Sequence, residues 1–507
     1  MTAAGPAGVG NPRAEGRGHH IVRPLAILII SVLLPLWLVV NAVEPEAYRE
    51  WPALFAVSAY TGARLAVLVG DGNPRLYTFA FFLYCYLFLG LAPLVQLSSR
   101  SFPSVAPWVF AENNTAAVAI TMLGIFAFEV GSLWQRRRSP FRTVHSSHRL
   151  SAARDWSVAA PRMVHAPRLY ALVTISLGVS IVFIVAVGPA VFLQSRNEVF
   201  LAVEGGVANS SIALLVKGFV VGSLLVSFAG LVYVFRVREQ GRRFGLGFCA
   251  VSTAAVSLYI TNVFNSPRYL ALVVLIGILA SLGIFARAWL VRTSFTAALA
   301  GFLLIFPILG GFRNTVTINV PTRLETVLLS GDYDSFAQIN NAVTYVNGNG
   351  IEFGRQVLGA LLVWVPRSIW PNKPVSTSTL VADNMGYPFT NVSAPLWSEL
   401  LVDFGVLGVI LGFWAVGMAL GRLDDNLVLA ARYGYDPGVA AMVVPFYLII
   451  ILRGALLTTV PTLLIMLGCI LFISAAKTSS PERRLRRGGN RLQARPISAM
   501  RTPREVR

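Results

Sequence analysis

Leu76-Tyr77-Thr78-Phe79-Ala80-Phe81-Phe82-Leu83-Tyr84-Cys85-Tyr86-Leu87-Phe88-Leu89-Gly90-Leu91-Ala92-Pro93-Leu94-Val95-Gln96-Leu97 is an apolar, aromatic run without one charge. A helix rises about 1.5 Å per residue and a bilayer's hydrocarbon layer is ~30 Å thick, so about 20 such residues cross it with every backbone group satisfied internally. Similar stretches lie near Pro24–Val43, Trp51–Gly70, Ala116–Trp134, Leu169–Val187, Ser210–Phe235, Phe244–Asn262, Tyr269–Phe285, Phe295–Gly311, Pro395–Leu420, Gly438–Leu452 and Ala455–Ala475. Composition agrees: 55% hydrophobic residues, 13% charged residues and a mean hydropathy of +0.66 set a soluble reading aside. The expected fold is all-α, a polytopic membrane protein with about 12 transmembrane helices.

The basic residues lie between these runs. A formal charge of +19 invites a nucleic-acid partner, but the cations sit in loops and tail as membrane topology requires, so lipid is the expected partner and nucleic acid is not. With both ends in the cytoplasm, roughly 30 of the 42 Lys and Arg fall on the cytoplasmic face, the asymmetry of the positive-inside rule. The chain then divides into a cytoplasmic segment 1–23, a transmembrane domain 24–476 and a basic cytoplasmic tail 477–507. The domain contains a basic cytoplasmic linker at 135–168 and one large extracytoplasmic loop at 312–394. The first apolar run lacks a small-residue cleavage site and is expected to stay as a helix.

The large loop is neither basic nor continuously apolar. Val357–Val365 is too short to cross a bilayer and reads as a re-entrant or interfacial helix. Pro366, Pro371 and Pro374 disfavour helix, so Arg367 and Lys373 are expected on an extended or turning segment from which both cations can point into a site.

Cations away from the cytoplasmic face are costly and mark substrate paths. Arg196, Arg268, Arg313 and Arg453 come from separate parts of the sequence to that one face, and guanidinium matches phosphate oxygens bidentately. Headgroup snorkelling or pairing with carboxylates competes with this reading. Arg64 and Lys217 lie inside apolar spans, where a buried pair is as good an explanation as function. Glu399 is a candidate base for a sugar hydroxyl, though it and Asp403 equally suit counter-ions of Arg367, Lys373 or Arg313. Asp332 and Asp334 read as turn or helix caps. Trp397, Trp364 and Trp370 suit either sugar faces or a membrane interface belt.

No Walker loop, zinc pair or nucleophile elbow occurs, and the three cysteines lie in apolar runs, so no cofactor and no metal site is expected.

Gly331-Asp332-Tyr333-Asp334-Ser335-Phe336, Val365-Pro366-Arg367-Ser368-Ile369-Trp370-Pro371-Asn372-Lys373-Pro374 and Ser393-Ala394-Pro395-Leu396-Trp397-Ser398-Glu399 followed by Asp403-Phe404-Gly405 resemble the bacterial oligosaccharide repeat-unit polymerases. These form the O-antigen polymerase family, related to the O-antigen ligases. The resemblance implies a GT-C-like, metal-independent glycosyltransferase of the bacterial cytoplasmic membrane. It would join undecaprenyl-diphosphate-linked oligosaccharide units outside that membrane, beside a flippase and a chain-length regulator. In that picture Arg268, Arg313, Arg367 and Arg453 would hold diphosphates and sugar, with Glu399 as the candidate base. Together with the reading of the residues this makes Arg367 and Glu399 the expected catalytic pair and Arg196, Arg268, Arg313, Lys373, Arg453 and Trp397 the expected substrate-binding residues. Ligase-like transfer to another acceptor and transport of a lipid-linked glycan are the competing readings; the latter lacks the paired broken helices of an inverted repeat.

Overall fold

The computed structural model describes residues 19–103, 105–106, 108–138, 163–194, 210–237, 243–262, 265–305, 323–432 and 436–474. The expectations placed on Arg196, Arg313, most of the basic linker and the whole 477–507 tail lie outside the described residues.

Among the described residues the chain is helical, with one isolated antiparallel bridge, Val164 to Ser474. Nine helices there are long and apolar enough to cross a membrane: α1 Pro24–Ala42, α2 Trp51–Asp71, α3 Leu76–Ser98, α4 Ala111–Arg138, α5 Ala166–Val187, α6 Leu215–Arg236, α9 Ala288–Ile305, α13 Leu396–Arg432 and α15 Leu456–Ile473. Three apolar helices are shorter: α7 Phe244–Ile260, α8 Arg268–Leu282 and α14 Val439–Arg453. As far as the described residues reach, each of the twelve apolar stretches coincides with one of these helices; α9 starts at Ala288, ahead of the expected Phe295, and the last part of that stretch, 306–311, lies outside the described residues. Between α9 and α13 the chain folds into α10 Ser335–Asn349, α11 Arg355–Leu361 and α12 Thr377–Asn384.

The core is built around α3. A helix that is apolar on all sides is stable only when surrounded, and the apolar window of α3 is buried throughout. Its aromatic rings stack outward onto neighbours: Phe79 on Phe295 at 3.8 Å, Phe81 on Phe128 at 3.5 Å, and Phe88 on Tyr333 at 5.1 Å. The first backbone N–H groups of such a helix have no intrahelical acceptor. Asp424 of α13 supplies one, accepting from Tyr77 N at 3.0 Å and Thr78 N at 2.8 Å.

Lipid gives helices no hydrophobic reason to associate, so close backbone approach through small residues carries the packing. Gly417 and Gly421 of α13 and Gly131 of α4 meet this need: a Cβ on Gly417 would stand 2.1 Å from the Phe128 carbonyl, and one on Gly131 2.1 Å from that of Trp414.

The tenth expected span, Pro395–Leu420, is not one continuous helix. Gly405 has φ 66° and ψ −161°, which divides α13 into a short leading segment and the long remainder. The break frees carbonyls, and the turn before α11 satisfies them: Glu352 N donates to Val402 O at 2.8 Å and Gly354 N to Asp403 O at 3.1 Å. Asp403 returns the favour at the start of α11, accepting from Gln356 N at 2.9 Å and Val357 N at 2.7 Å. Asp403 is therefore a backbone cap and not a counter-ion of Arg367 or Lys373.

Candidate functional site

Antiparallel succession brings the starts of α6, α8, α13 and α15 and the end of α14 to one end of the bundle, beneath the segment 323–395. Two acidic residues join the segment to the helices. The turn Gly331–Tyr333 buries the Tyr333 ring against Phe88 and leaves Asp332 and Asp334 on either side of it. Arg268, first residue of α8, forms an ion pair with Asp332. Arg453, last residue of α14, reaches Asp334 Oδ1 with Nη2 at 3.2 Å and donates through Nε to the Asp332 carbonyl at 3.2 Å. The same guanidinium lies over the Tyr269 ring, 4.7 Å from its centroid, and Tyr269 Oη donates to the Asp332 carbonyl at 3.1 Å. Asp334 Oδ2 accepts from Ser393 N at 2.9 Å. Burial raises the Asp334 carboxyl above its usual range, against the lowering pull of Arg453 and the Ser393 amide.

Beside Arg453 lies a cavity of about 690 Å³. Arg453 and Lys217, from α14 and α6, put two cations on its wall. Ser376, Ser378, Thr379, Thr390, Asn391 and Ser393 line it from the loop, and Thr458, Thr459 and Thr462 line it from α15. Among the described residues no carboxylate lines this wall. The surface is thus cationic and rich in hydroxyl and amide groups, which suits an anion carrying many hydroxyls of its own.

Glu399 stands behind the wall. It is 1% exposed and not among the lining residues. Its Oε2 accepts from Thr377 Oγ1 at 2.6 Å and its Oε1 from Leu456 N at 2.8 Å. Thr377 lies between the lining residues Ser376 and Ser378, and Leu456 follows the lining residue Ala455. One carboxylate therefore fixes loop and α15 relative to each other.

The remaining expected site residues are placed differently. Arg367 and Lys373 do not turn into the cavity. Arg367 donates to the carbonyls of Lys373 at 2.8 Å and Pro374 at 3.4 Å; Lys373 Nζ donates to those of Val363 at 2.6 Å and Val365 at 3.0 Å. The reason lies in the prolines: a segment with three of them is short of N–H donors, and the two cations supply what its carbonyls lack. Burial, with Arg367 nearby, lowers the Lys373 ammonium below its ordinary pKa. Trp397 is wholly buried, packed 4.0 Å from Phe413 and 6.1 Å from Tyr84, with Nε1 donating to Thr121 O at 3.3 Å. It is a core residue with no face for a sugar. Of the expected cation ring the structure brings together Arg268 and Arg453; Arg196 and Arg313 lie outside the described residues.

Two contributors were missed by sequence reasoning. Asp332 and Asp334 are counter-ions where caps were expected. The hydroxyl wall was also overlooked, though Thr458, Thr459 and Thr462 recur at helical spacing inside an apolar helix, a legible sign of a polar stripe. Comparisons with protein families, with curated proteins and with solved structures return no match.

Proposed function

We propose that the protein is a membrane glycosyltransferase that joins oligosaccharide units carried on a polyprenyl diphosphate, working at the end of the bundle that holds the cavity. One observation carries the reading: a wall combining Arg453 and Lys217 with a band of hydroxyl and amide groups and, among the described residues, no carboxylate. Breaking a glycosyl–phosphate bond loads negative charge onto the leaving diphosphate, and fixed cations in a partly desolvated site stabilise that charge as it grows. Serine, threonine and asparagine side chains donate to and accept from sugar hydroxyls. Glu399 belongs to this reading as a positioning residue that keeps the Ser376–Thr379 and Ala455–Thr459 walls in register. The reading takes the cavity as extracytoplasmic, with twelve spans and both chain ends inside, and what supports it is the distribution of Lys and Arg along the sequence under the positive-inside rule.

The test uses a strain deleted for the gene and complemented with variants. Lys217→Gln and Arg453→Lys, each shown by immunoblot to remain in the membrane, should leave single lipid-linked units accumulating and long glycans lost. Normal chain length in both variants refutes the reading. Long unattached chains in the deletion strain would indicate ligase-like transfer to another acceptor.

A further inference from the structure

The opposite end of the bundle carries charges that glycosyl transfer does not use. Arg64 of α2 pairs with Glu129 of α4, and Tyr60 Oη donates to the same carboxylate at 2.9 Å. Arg75, immediately before α3, gives Nη2 to Asp425 Oδ1 at 3.2 Å, while its Nη1 is buried with no hydrogen-bond partner among the described residues. Arg136, in the last turn of α4, lies about two turns beyond Glu129 on the same face. Its Nε is likewise buried without a partner. Arg75, Arg64, Glu129 and Asp425 are all within electrostatic reach of Arg136. Asp424, next in the chain to Asp425, is committed to the α3 backbone amides.

Three guanidinium groups from three parts of the chain therefore share two carboxylates, and two of them hold buried N–H groups that no atom of the described residues accepts. A buried donor attached to a full charge is among the most costly groups to leave unmatched. Planar guanidinium forks are matched best by the oxygens of a phosphate. The surroundings indicate where such a phosphate comes from. Trp134 is exposed just above Arg136, with the Arg138 guanidinium 4.6 Å from its ring centroid. Tryptophan beside arginine at a helix end marks the headgroup layer.

We propose that Arg75 and Arg136, backed by Arg64, form a site for the phosphate of an anionic phospholipid headgroup at the end of the bundle opposite the cavity. Basic pockets between membrane helices hold acidic lipids in this way. The lipid ties α2, α3 and α4 together and does not enter the transfer reaction.

The full-length protein is reconstituted in nanodiscs of phosphatidylcholine, with or without phosphatidylglycerol, and separately in phosphatidylcholine with millimolar inorganic phosphate. Unfolding midpoint and lipid retained in native mass spectrometry are read. Phosphatidylglycerol should raise the midpoint of the wild type and of Arg137→Gln, whose arginine is exposed. Retention should fall about tenfold in Arg75→Gln and in Arg136→Gln, the loss of one charge-assisted partner. An equal rise with inorganic phosphate alone supports the site and assigns it a soluble occupant. Identical midpoints with and without phosphatidylglycerol, or retention undiminished in both variants, overturns the proposal. Arg75 stands outside the helices, so its variant keeps the test open if Arg136→Gln fails to fold.

Discussion

Arg453 Nη2 and Asp334 Oδ1 stand 3.2 Å apart, with the aspartate side chain 1% exposed and that of the arginine 20%. The pair is therefore asymmetric: the carboxylate is committed to the protein, while the guanidinium keeps a face on the cavity. Removing the arginine strands a buried carboxylate, which costs about 3–5 kcal/mol where no water can reach it. Arg453→Ala should lower the unfolding midpoint in detergent markedly. Arg453→Lys keeps the charge but not the fork that spans Asp334 and the Asp332 carbonyl, so it should recover much of the stability and little of the glycan elongation. Equal recovery of both would make Arg453 a purely structural residue.

The same pair gives a pH dependence whose sign is the reverse of the usual carboxylate case. Burial raises the Asp334 carboxyl in the folded chain, so the folded state takes up a proton at higher pH than the unfolded one. Its stabilising contribution is then greatest below the unfolded pKa of about 3.9, falls as pH rises from there to the folded value, and stays low above it. Asp334→Asn cannot ionise. The midpoint of Asp334→Asn relative to wild type should therefore climb as pH is raised from about 4 and then level off. A difference that is flat with pH would show that Arg453 cancels the cost of burial.

Glu399 separates positioning from proton transfer. A general acid or base contributes about 10²–10⁴-fold to a rate. A carboxylate that only accepts from Thr377 and Leu456 is replaced at modest cost by an amide, which keeps one acceptor oxygen. Glu399→Gln should destabilise by about 1–2 kcal/mol and retain most elongation activity in membranes. Glu399→Ala leaves the buried Leu456 N–H unmatched and should do worse on both measures. A loss of ~100-fold or more in Glu399→Gln, with an unchanged unfolding midpoint, would return Glu399 to the reacting centre.

These outcomes follow from how the site is encoded. The apolar runs were legible because crossing lipid imposes a length and a composition that short-range interactions seldom override, and among the described residues the runs are helical, with the break at Gly405 the exception. Arg268 and Arg453 were singled out because a cation at a turn between long apolar spans has few reasons to be there, and the structure brings the two together on Asp332 and Asp334. Arg367 and Lys373 carried the same signal and misled, because the deficit they fill is a backbone one created by Pro366, Pro371 and Pro374. Whether a cation faces a ligand or a carbonyl depends on the path of the chain between the prolines, which residue identity does not specify. Trp397 misled in a similar way: stacking on Tyr84 and Phe413 requires rings from α3 and α13 to meet, a fact of three-dimensional packing. Asp332 and Asp334 were read locally, as caps, whereas their partners lie far along the chain in α8 and α14. Lys217 stood alone in an apolar helix, and only the assembled bundle gives it Arg453 and a hydroxyl wall to share.

Two glycines of α13 should fail for different reasons. At Gly405 the nearest neighbour of an added Cβ is Ile351 Cγ2 at 3.6 Å, ordinary contact, so there is room for a side chain. The obstacle is the backbone, since φ 66° with ψ −161° belongs to a region that is essentially glycine's own. Gly405→Ala should cost about 1–3 kcal/mol, and asparagine, which tolerates the left-handed region elsewhere, should not rescue it at this ψ. Gly417 has helical geometry and no such strain, but its Cβ would lie 2.1 Å from the Phe128 carbonyl, a backbone atom that cannot rotate away. Gly417→Ala must push α4 and α13 apart, at a cost of about 3 kcal/mol or more, because overpacking here displaces a whole helix. Melting curves in one detergent compare the two, and cross-linking between engineered cysteines on α4 and α13 distinguishes them: the yield should fall in Gly417→Ala and hold in Gly405→Ala. A fall in both would mean that the bend at Gly405, and not only the small-residue face, sets how closely these helices approach.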